Sequence, residues 1–336
     1  VAASEIEVVT PPLRDFYGKR LREGSIPILA HASVADEALF AARDRLRRAL
    51  AQAPRLRRNL ESQGFELHIQ GLRQFASDLP EFRAHRGEKL DDGQLYDWHM
   101  IGGHITGSFL ACTEGTLLPI VGFRLFGDET CFHELGHIVE WRGLDAANRA
   151  GVVAAYRRSV ASGHWKNEYA ATNPAEWFAE ATKFYFRPDG DALSFYDPKL
   201  AHGHEWLRRE DPDAFRLVDD LYGGRTYPGA PKTVSLALGP GRDEATIKSK
   251  ESIIPTTFSV RNGTGAEIRL LWVDFEGRRD QRRPLDRAPS ASPGGTIEDY
   301  SWATHAFVVT DAAGRALCTL TVPEENATAE VKGPCE

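Results

Sequence analysis

The five residues His133-Glu134-Leu135-Gly136-His137 constrain this chain more than any other stretch. Two imidazoles four residues apart can share one metal ion when the backbone between them is helical, because i and i+4 then lie on one face, one turn apart. The reading therefore requires a helix here, held against an element that supplies another ligand. A hydrolytic zinc site has three protein ligands and keeps one coordination position open for water. The intervening glutamate lies close enough to that position to take a proton from water. The pattern fixes only three positions, so by itself it also fits a helix that carries two histidines without a metal.

A candidate for the missing ligand lies in Asn173-Pro174-Ala175-Glu176-Trp177-Phe178-Ala179-Glu180-Ala181. Pro174 can open a helix, and Glu176 and Glu180 then share one face, one turn apart. Trp177, Phe178 and Phe184 supply apolar surface to bury it. Set against the first helix, this one completes a site of two histidines and one glutamate with a second carboxylate behind. A carboxylate in that place orients a ligating imidazole by accepting its other N–H. The plainer alternative is that both glutamates are ordinary surface charges. Two imidazoles and one carboxylate suit Zn2+, a borderline ion that takes tetrahedral geometry.

The surroundings read as a helical α+β region. Residues 33–51 have an amphipathic pattern, with Ser33 placed to cap a helix and Asp36 at capping-box distance. Arg43, Arg47, Arg48, Arg55, Arg57 and Arg58 read as a solvated face. Phe65–Ile69 alternates like a strand. Residues 86–108 look like a long loop, and 128–141, 174–186 and 211–222 look helical. After Gly224 the texture changes. Gly and Pro punctuate 226–256, which suits a linker or an extended crossing segment. Short β-type runs follow at 257–261, 268–275, 296–300, 306–310 and 316–322, separated by turn residues, as in a small all-β sandwich. The expected domains are 1–225, a linker over 226–244, and 245–336.

Composition narrows the class. With 336 residues the chain can bury a sizeable core, and two domains are more natural than one. A formal net charge of −7 argues against nucleic acid as a partner, and no run approaches a membrane span. The four cysteines fall into two local pairs, Cys112 with Cys131 and Cys318 with Cys335. Three pairings are formally possible, and unrelated reduced thiols are the alternative to any of them. Two short-loop disulfides would fit an oxidising compartment. The chain begins at Val1 and holds one methionine, Met100, which fits either removal of a signal peptide or a chain trimmed by design. Together these give the expectation of a secreted or extracytoplasmic protein.

The stretch Tyr169-Ala170-Ala171-Thr172-Asn173-Pro174-Ala175-Glu176-Trp177-Phe178-Ala179-Glu180-Ala181, following HELGH, resembles the catalytic end of anthrax lethal factor and its relatives, which are gluzincin metallopeptidases. The likeness extends to secreted zincin-like proteins that include a fungal conidiation-specific protein. There it takes in Gly24–Leu29, Val34–Leu39, Ser77–Glu81 and Asp211–Asp213, and so spans roughly 12–224. The resemblance implies His133, His137 and Glu176 as zinc ligands and Glu134 as general base. It implies Tyr169 as a catalytic phenol beside the metal, serving the oxyanion or the leaving group, and Glu180 as the carboxylate behind a ligand. His164, just before Tyr169, is a substrate-side candidate. His99, His104, His202 and His204 match no part of the motif and read as solvated loop residues.

A second resemblance covers about 245–322. Phe258-Ser259-Val260-Arg261-Asn262-Gly263-Thr264, then Arg269–Gly277 with Trp272 and Phe275, Pro293–Ile297 and His305–Asp311 look like the β domain of the von Hippel–Lindau tumour suppressor. In that family the domain binds hydroxyproline-containing peptides. The corresponding positions here are His305, Phe307 in place of Trp, Asp299-Tyr300 in place of Ser-Tyr, and Arg282 or a neighbour in place of Tyr.

These readings combine into an α+β zincin-like, mainly helical catalytic domain followed by a small all-β sandwich. The expected function is a secreted zinc metallohydrolase of the gluzincin type, an endopeptidase using Glu134 as base. Its partners would be protein or peptide substrates, including proline-rich or hydroxyproline-containing ones. A zinc hydrolase for a non-peptide substrate, or a binding protein with an idle or structural metal site, are the alternatives.

Overall fold

The computed structural model describes residues 5–87, 103–118, 120, 129–166, 168–188, 202–280 and 284–336. The chain forms two compact units, Val1–Ala230 and Pro231–Glu336.

The first unit opens with strands β1 (Glu7–Leu13), β2 (Tyr17–Glu23) and β3 (Ile26–His31), then helices α1 (Asp36–Leu50) and α2 (Pro54–Ser62). Strands β4 (Glu66–Gln70), β5 (Gly103–Thr106) and β6 (Phe109–Thr113) follow, then the short α3 (Glu114–Leu117). Helices α4 (Thr130–Ile138), α5 (Ala146–Ser162), α6 (Pro174–Phe186), α7 (His204–Glu210) and α8 (Pro212–Tyr222) complete it. The strands build one six-stranded sheet in the order β1-β2-β3-β4-β6-β5. β3, β4 and β6 run parallel, and β5 closes the edge antiparallel to β6.

Alternation along the strands divides this sheet into two faces. Leu67 and Ile69 of β4, with Leu110 and Cys112 of β6, join the main core with Leu39, Ala42 and Leu46 of α1 and Phe132 and Leu135 of α4. The residues between them point the other way. Ala111 packs with Leu79 and Phe82, and His68 is fully buried. His68 Nδ1 lies 3.0 Å from the Tyr17 hydroxyl and Nε2 lies 2.9 Å from Glu66. Tyr17 donates to Glu81 at 2.5 Å, and Arg14 pairs with both Glu66 and Glu81. Burial pushes the Glu81 carboxyl up, but His68 and Tyr17 outweigh it and hold it down at about 2.

Several local expectations shift. α1 starts at Asp36, and Ser33 bonds the His31 ring at 2.8 Å instead of capping it. The N–H of Ala35, at the cap position, goes to Glu114 at 2.8 Å. Within the expected loop over 86–108, residues 103–106 form β5, and 88–102 lie outside the described residues. Arg47 and Arg57 are not simply solvated, since both pair with Glu23 at 3.1 Å. His202 and His204 are also not simply solvated. His202 stacks on Trp206 with centroids 4.0 Å apart, and His204 Nδ1 sits 2.8 Å from the Tyr185 carbonyl.

The second unit consists of β7 (Thr233–Ser235), β8 (Leu238–Pro240), β9 (Pro255–Asn262), β10 (Ile268–Val273), β11 (Ser290–Ala291), β12 (Thr296–Trp302), β13 (Ala306–Asp311), β14 (Ala316–Thr321) and β15 (Asn326–Val331). They form a five-stranded sheet, β11-β10-β13-β14-β8, and a four-stranded sheet, β12-β9-β15-β7. One apolar core takes side chains from both: Phe258, Val260 and Ile297 from the second, Leu270, Phe307 and Val309 from the first. Residues 233–240, expected within a linker, contribute one strand to each sheet.

Candidate metal centre

The site grows from two helices. Helix α4 carries His133, Glu134 and His137 and runs on into a π-helical turn over Val139–Gly143. Helix α6 begins at Pro174, and the Asn173 side chain caps it by accepting the N–H of Glu176 at 3.0 Å. Glu176 is therefore fixed in the first turn, with Glu180 one turn further along.

α4 and α6 approach closely because Gly136 has no side chain. A Cβ there would stand 2.8 Å from the Ala179 Cα and 3.2 Å from Thr182. The disulfide Cys112–Cys131, with Cα atoms 5.2 Å apart, ties the start of α4 to β6. Cys318 and Cys335 form the second disulfide. The edge strand β5 also meets α4, and a Cβ at Gly103 would lie 2.5 Å from Glu134 Cγ, so that glycine leaves room for the glutamate.

This packing brings His133, His137 and Glu176 together, with one donor atom of each within 4.8 Å of the others. The two Nε2 atoms are 3.2 Å apart, and Glu176 Oε2 lies 3.2 Å from His133 Nε2 and 3.3 Å from His137 Nε2. Glu176 Oε2 is buried and lacks hydrogen-bond geometry to either ring. Three lone-pair donors converging on one point fit a divalent ion better than they fit one another.

Glu180 sits behind. Its Oε1 is 2.8 Å from His133 Nδ1 and 2.8 Å from Lys183 Nζ. Tyr169 lies on a 3-10 turn, 59% exposed, with its ring centroid 6.1 Å from that of His133. Trp141 stacks on His137 at 5.3 Å.

Electrostatics follow from this crowding. Burial pulls the His133 imidazole down, but Glu176 and Glu180 override it and push it up to about 10. Burial raises Glu176, yet the two imidazoles hold it far below the carboxylate range. Glu180 is likewise raised by burial and brought down to about 2 by Lys183 and His133. Glu134 is pushed up, chiefly by burial. Tyr169 is pushed up by burial and by Glu176.

Of the other residues marked from the sequence, His164 is exposed, His99 lies outside the described residues, and His104 forms part of β5. Sequence reading missed Lys183, whose i, i+3 spacing from Glu180 was available as a signal. It also missed Gly103, which carries no local mark.

In the second unit, His305 Nδ1 bonds Ser301 Oγ at 2.9 Å. Trp272 and Phe275 flank the His305 ring at 5.5 and 5.7 Å. Phe307 is a core residue 4.9 Å from Phe258, and it stands directly opposite Trp272 in the pairing of β10 with β13. Arg282 lies outside the described residues.

No protein-family model matches the chain, and no curated protein matches it. Among solved structures it is similar to the Pro-Pro endopeptidase PPEP-2 from Paenibacillus alvei, with 17% identity and a TM-score of 0.40, over 58% of this chain and 96% of that one.

Proposed function

We propose that the first unit is a zincin-like metallohydrolase of the gluzincin type, acting as an endopeptidase on protein or peptide substrates outside the cytoplasm. The observation that carries this reading is the convergence of His133, His137 and Glu176, with Glu134 on the same helix and Glu180 behind His133. Two disulfides are compatible with the extracytoplasmic setting.

His133, His137 and Glu176 would hold the ion. When bound, zinc supplies Lewis acidity, which lowers the pKa of water and polarises a carbonyl. Glu134 takes the proton from the attacking water and returns it to the leaving amine. Tyr169 directs its phenolic O–H to the oxygen on which negative charge develops. Glu180 keeps the His133 ring oriented with Nε2 facing inward.

In the second unit the Trp272–Phe275–His305 cluster, with Ser301 on the imidazole, supports docking of a proline-rich or hydroxyproline-containing segment. An aromatic wall suits a pyrrolidine ring, and a hydroxyl would meet the Ser301–His305 pair.

The test is a peptide-library cleavage screen with the metal content measured in parallel. One zinc per chain, lost in His133→Ala and Glu176→Ala, with cleavage abolished by chelator, is the expected result. Undiminished zinc in both variants would overturn the ligand assignment.

A further inference from the structure

Glu180 Oε1 lies 2.8 Å from each of two nitrogens, His133 Nδ1, to which it lacks hydrogen-bond geometry, and Lys183 Nζ. Glu180 and Lys183 are largely buried, with side chains 11% and 12% exposed, so their charges are poorly screened. Three carboxylates belong to the cluster: Glu134, Glu176 and Glu180. Glu140, the next buried acid along the chain, is pushed up to about 8 chiefly by burial, with Arg149 pulling against that shift.

We propose that Lys183 is a positioning residue that tunes the charge of the metal site, by sharing the Glu180 oxygen with His133. The inference rests on the metal-site reading above. A carboxylate alone on a ligating imidazole makes that imidazole a stronger donor and the ion a weaker Lewis acid. The ammonium on the same oxygen limits this transfer and holds the carboxylate in place. Lys183 touches neither ion nor substrate in this role; it acts through Glu180.

The experiment uses the full chain as wild type, Lys183→Met, Lys183→Arg, Glu180→Gln and the Glu180→Gln/Lys183→Met double variant. Zinc affinity is read by chelator competition and ligand field by the absorption bands of the Co2+-loaded protein. Hydrolysis is followed on a peptide from the screen. Removing a buried positive charge beside a dication should tighten zinc binding about tenfold, while kcat falls about tenfold with KM unchanged. The cobalt bands should shift. Lys183→Arg should behave as wild type, and the double variant should return to near wild-type affinity because the charge is balanced again. Should Lys183→Met fail to fold, the Glu180→Gln and double-variant pair carries the same comparison. Zinc affinity that drops in Lys183→Met, as expected of a residue that only props Glu180, would overturn the proposal. A wild-type chain that takes up no divalent ion would instead sink the metal-site reading on which it rests.

Discussion

Replacing Gly136 with alanine tests whether the close approach of α4 and α6 builds the site. In an exposed helix the change would help, since glycine costs about 1 kcal/mol relative to alanine. Here the new Cβ would meet the Ala179 Cα at 2.8 Å, against a backbone atom that cannot swing aside. Ordinary contact begins at 3.4 Å, so the helices must part by about 0.6 Å. Overpacking of this kind costs about 1–3 kcal/mol. Set against the propensity gain, the net loss is about 0–2 kcal/mol, a fall of a few degrees in Tm for a unit of this size. The metal should feel the change more than the fold does. His133 and His137 ride on α4 and Glu176 on α6, and metal sites tolerate only about 0.5 Å of displacement. Zinc affinity should therefore fall by about tenfold or more, a loss of about 1.4 kcal/mol per decade. Thermal melts with and without chelator, beside chelator competition for zinc, read both effects. A variant that melts above wild type and binds zinc as tightly would refute the argument that Gly136 sets the helix separation.

Three further outcomes are expected. Glu134→Gln should keep zinc while losing about 10²–10⁴-fold in kcat, because the amide cannot accept the proton; turnover near wild type would remove Glu134 as base. Replacing Cys112 and Cys131 together with serine opens a link of sequence separation 19 and should cost about 3 kcal/mol in urea unfolding, with weaker zinc binding because α4 loses its tie to β6. An unchanged urea midpoint would contradict this. Glu81 is depressed in the folded state, so the stability it contributes is present above the ordinary carboxylate pKa of 4.5 and is lost as pH falls toward about 2. Glu81→Gln should flatten that part of the pH–stability curve by up to about 3 kcal/mol, and identical acid limbs in variant and wild type would argue against the Tyr17–His68–Glu81 network.

The helices of the candidate site were legible because their signals are local. Imidazoles at i and i+4 and glutamates at i and i+4 describe one face of one helix, and α6 spans Pro174–Phe186 as its proline and apolar pattern predict. The short strands after residue 255 were legible for the same reason, since period-two alternation and turn residues lie within a few positions of each other. The six-stranded sheet was mostly hidden. β1 is largely exposed and carries two prolines, β2 is largely polar, and β5 is four residues long. Such strands exist by virtue of their neighbours.

Pairing across the chain was decided by the tertiary structure alone. Nothing near Gly103 or Gly136 in sequence says that one must leave space for Glu134 and the other must let Ala179 approach, because a glycine's purpose lies in the atom that would collide with it. His68 reads as one more residue of an alternating strand. Burial on the sheet face opposite Leu67 and Ile69 makes it the hub of Tyr17, Glu66 and Glu81. Spacing by itself leaves the choice between Glu176 and Glu180 open in the same way, and in the sequence only the family resemblance assigned it. Both share a helix face, and only the direction in which α4 crosses that face sets Glu176 against both Nε2 atoms and Glu180 against the far nitrogen of His133. Local sequence fixes periodicity and donor type, whereas the distance between two helices is set by packing, to which residues from the whole chain contribute.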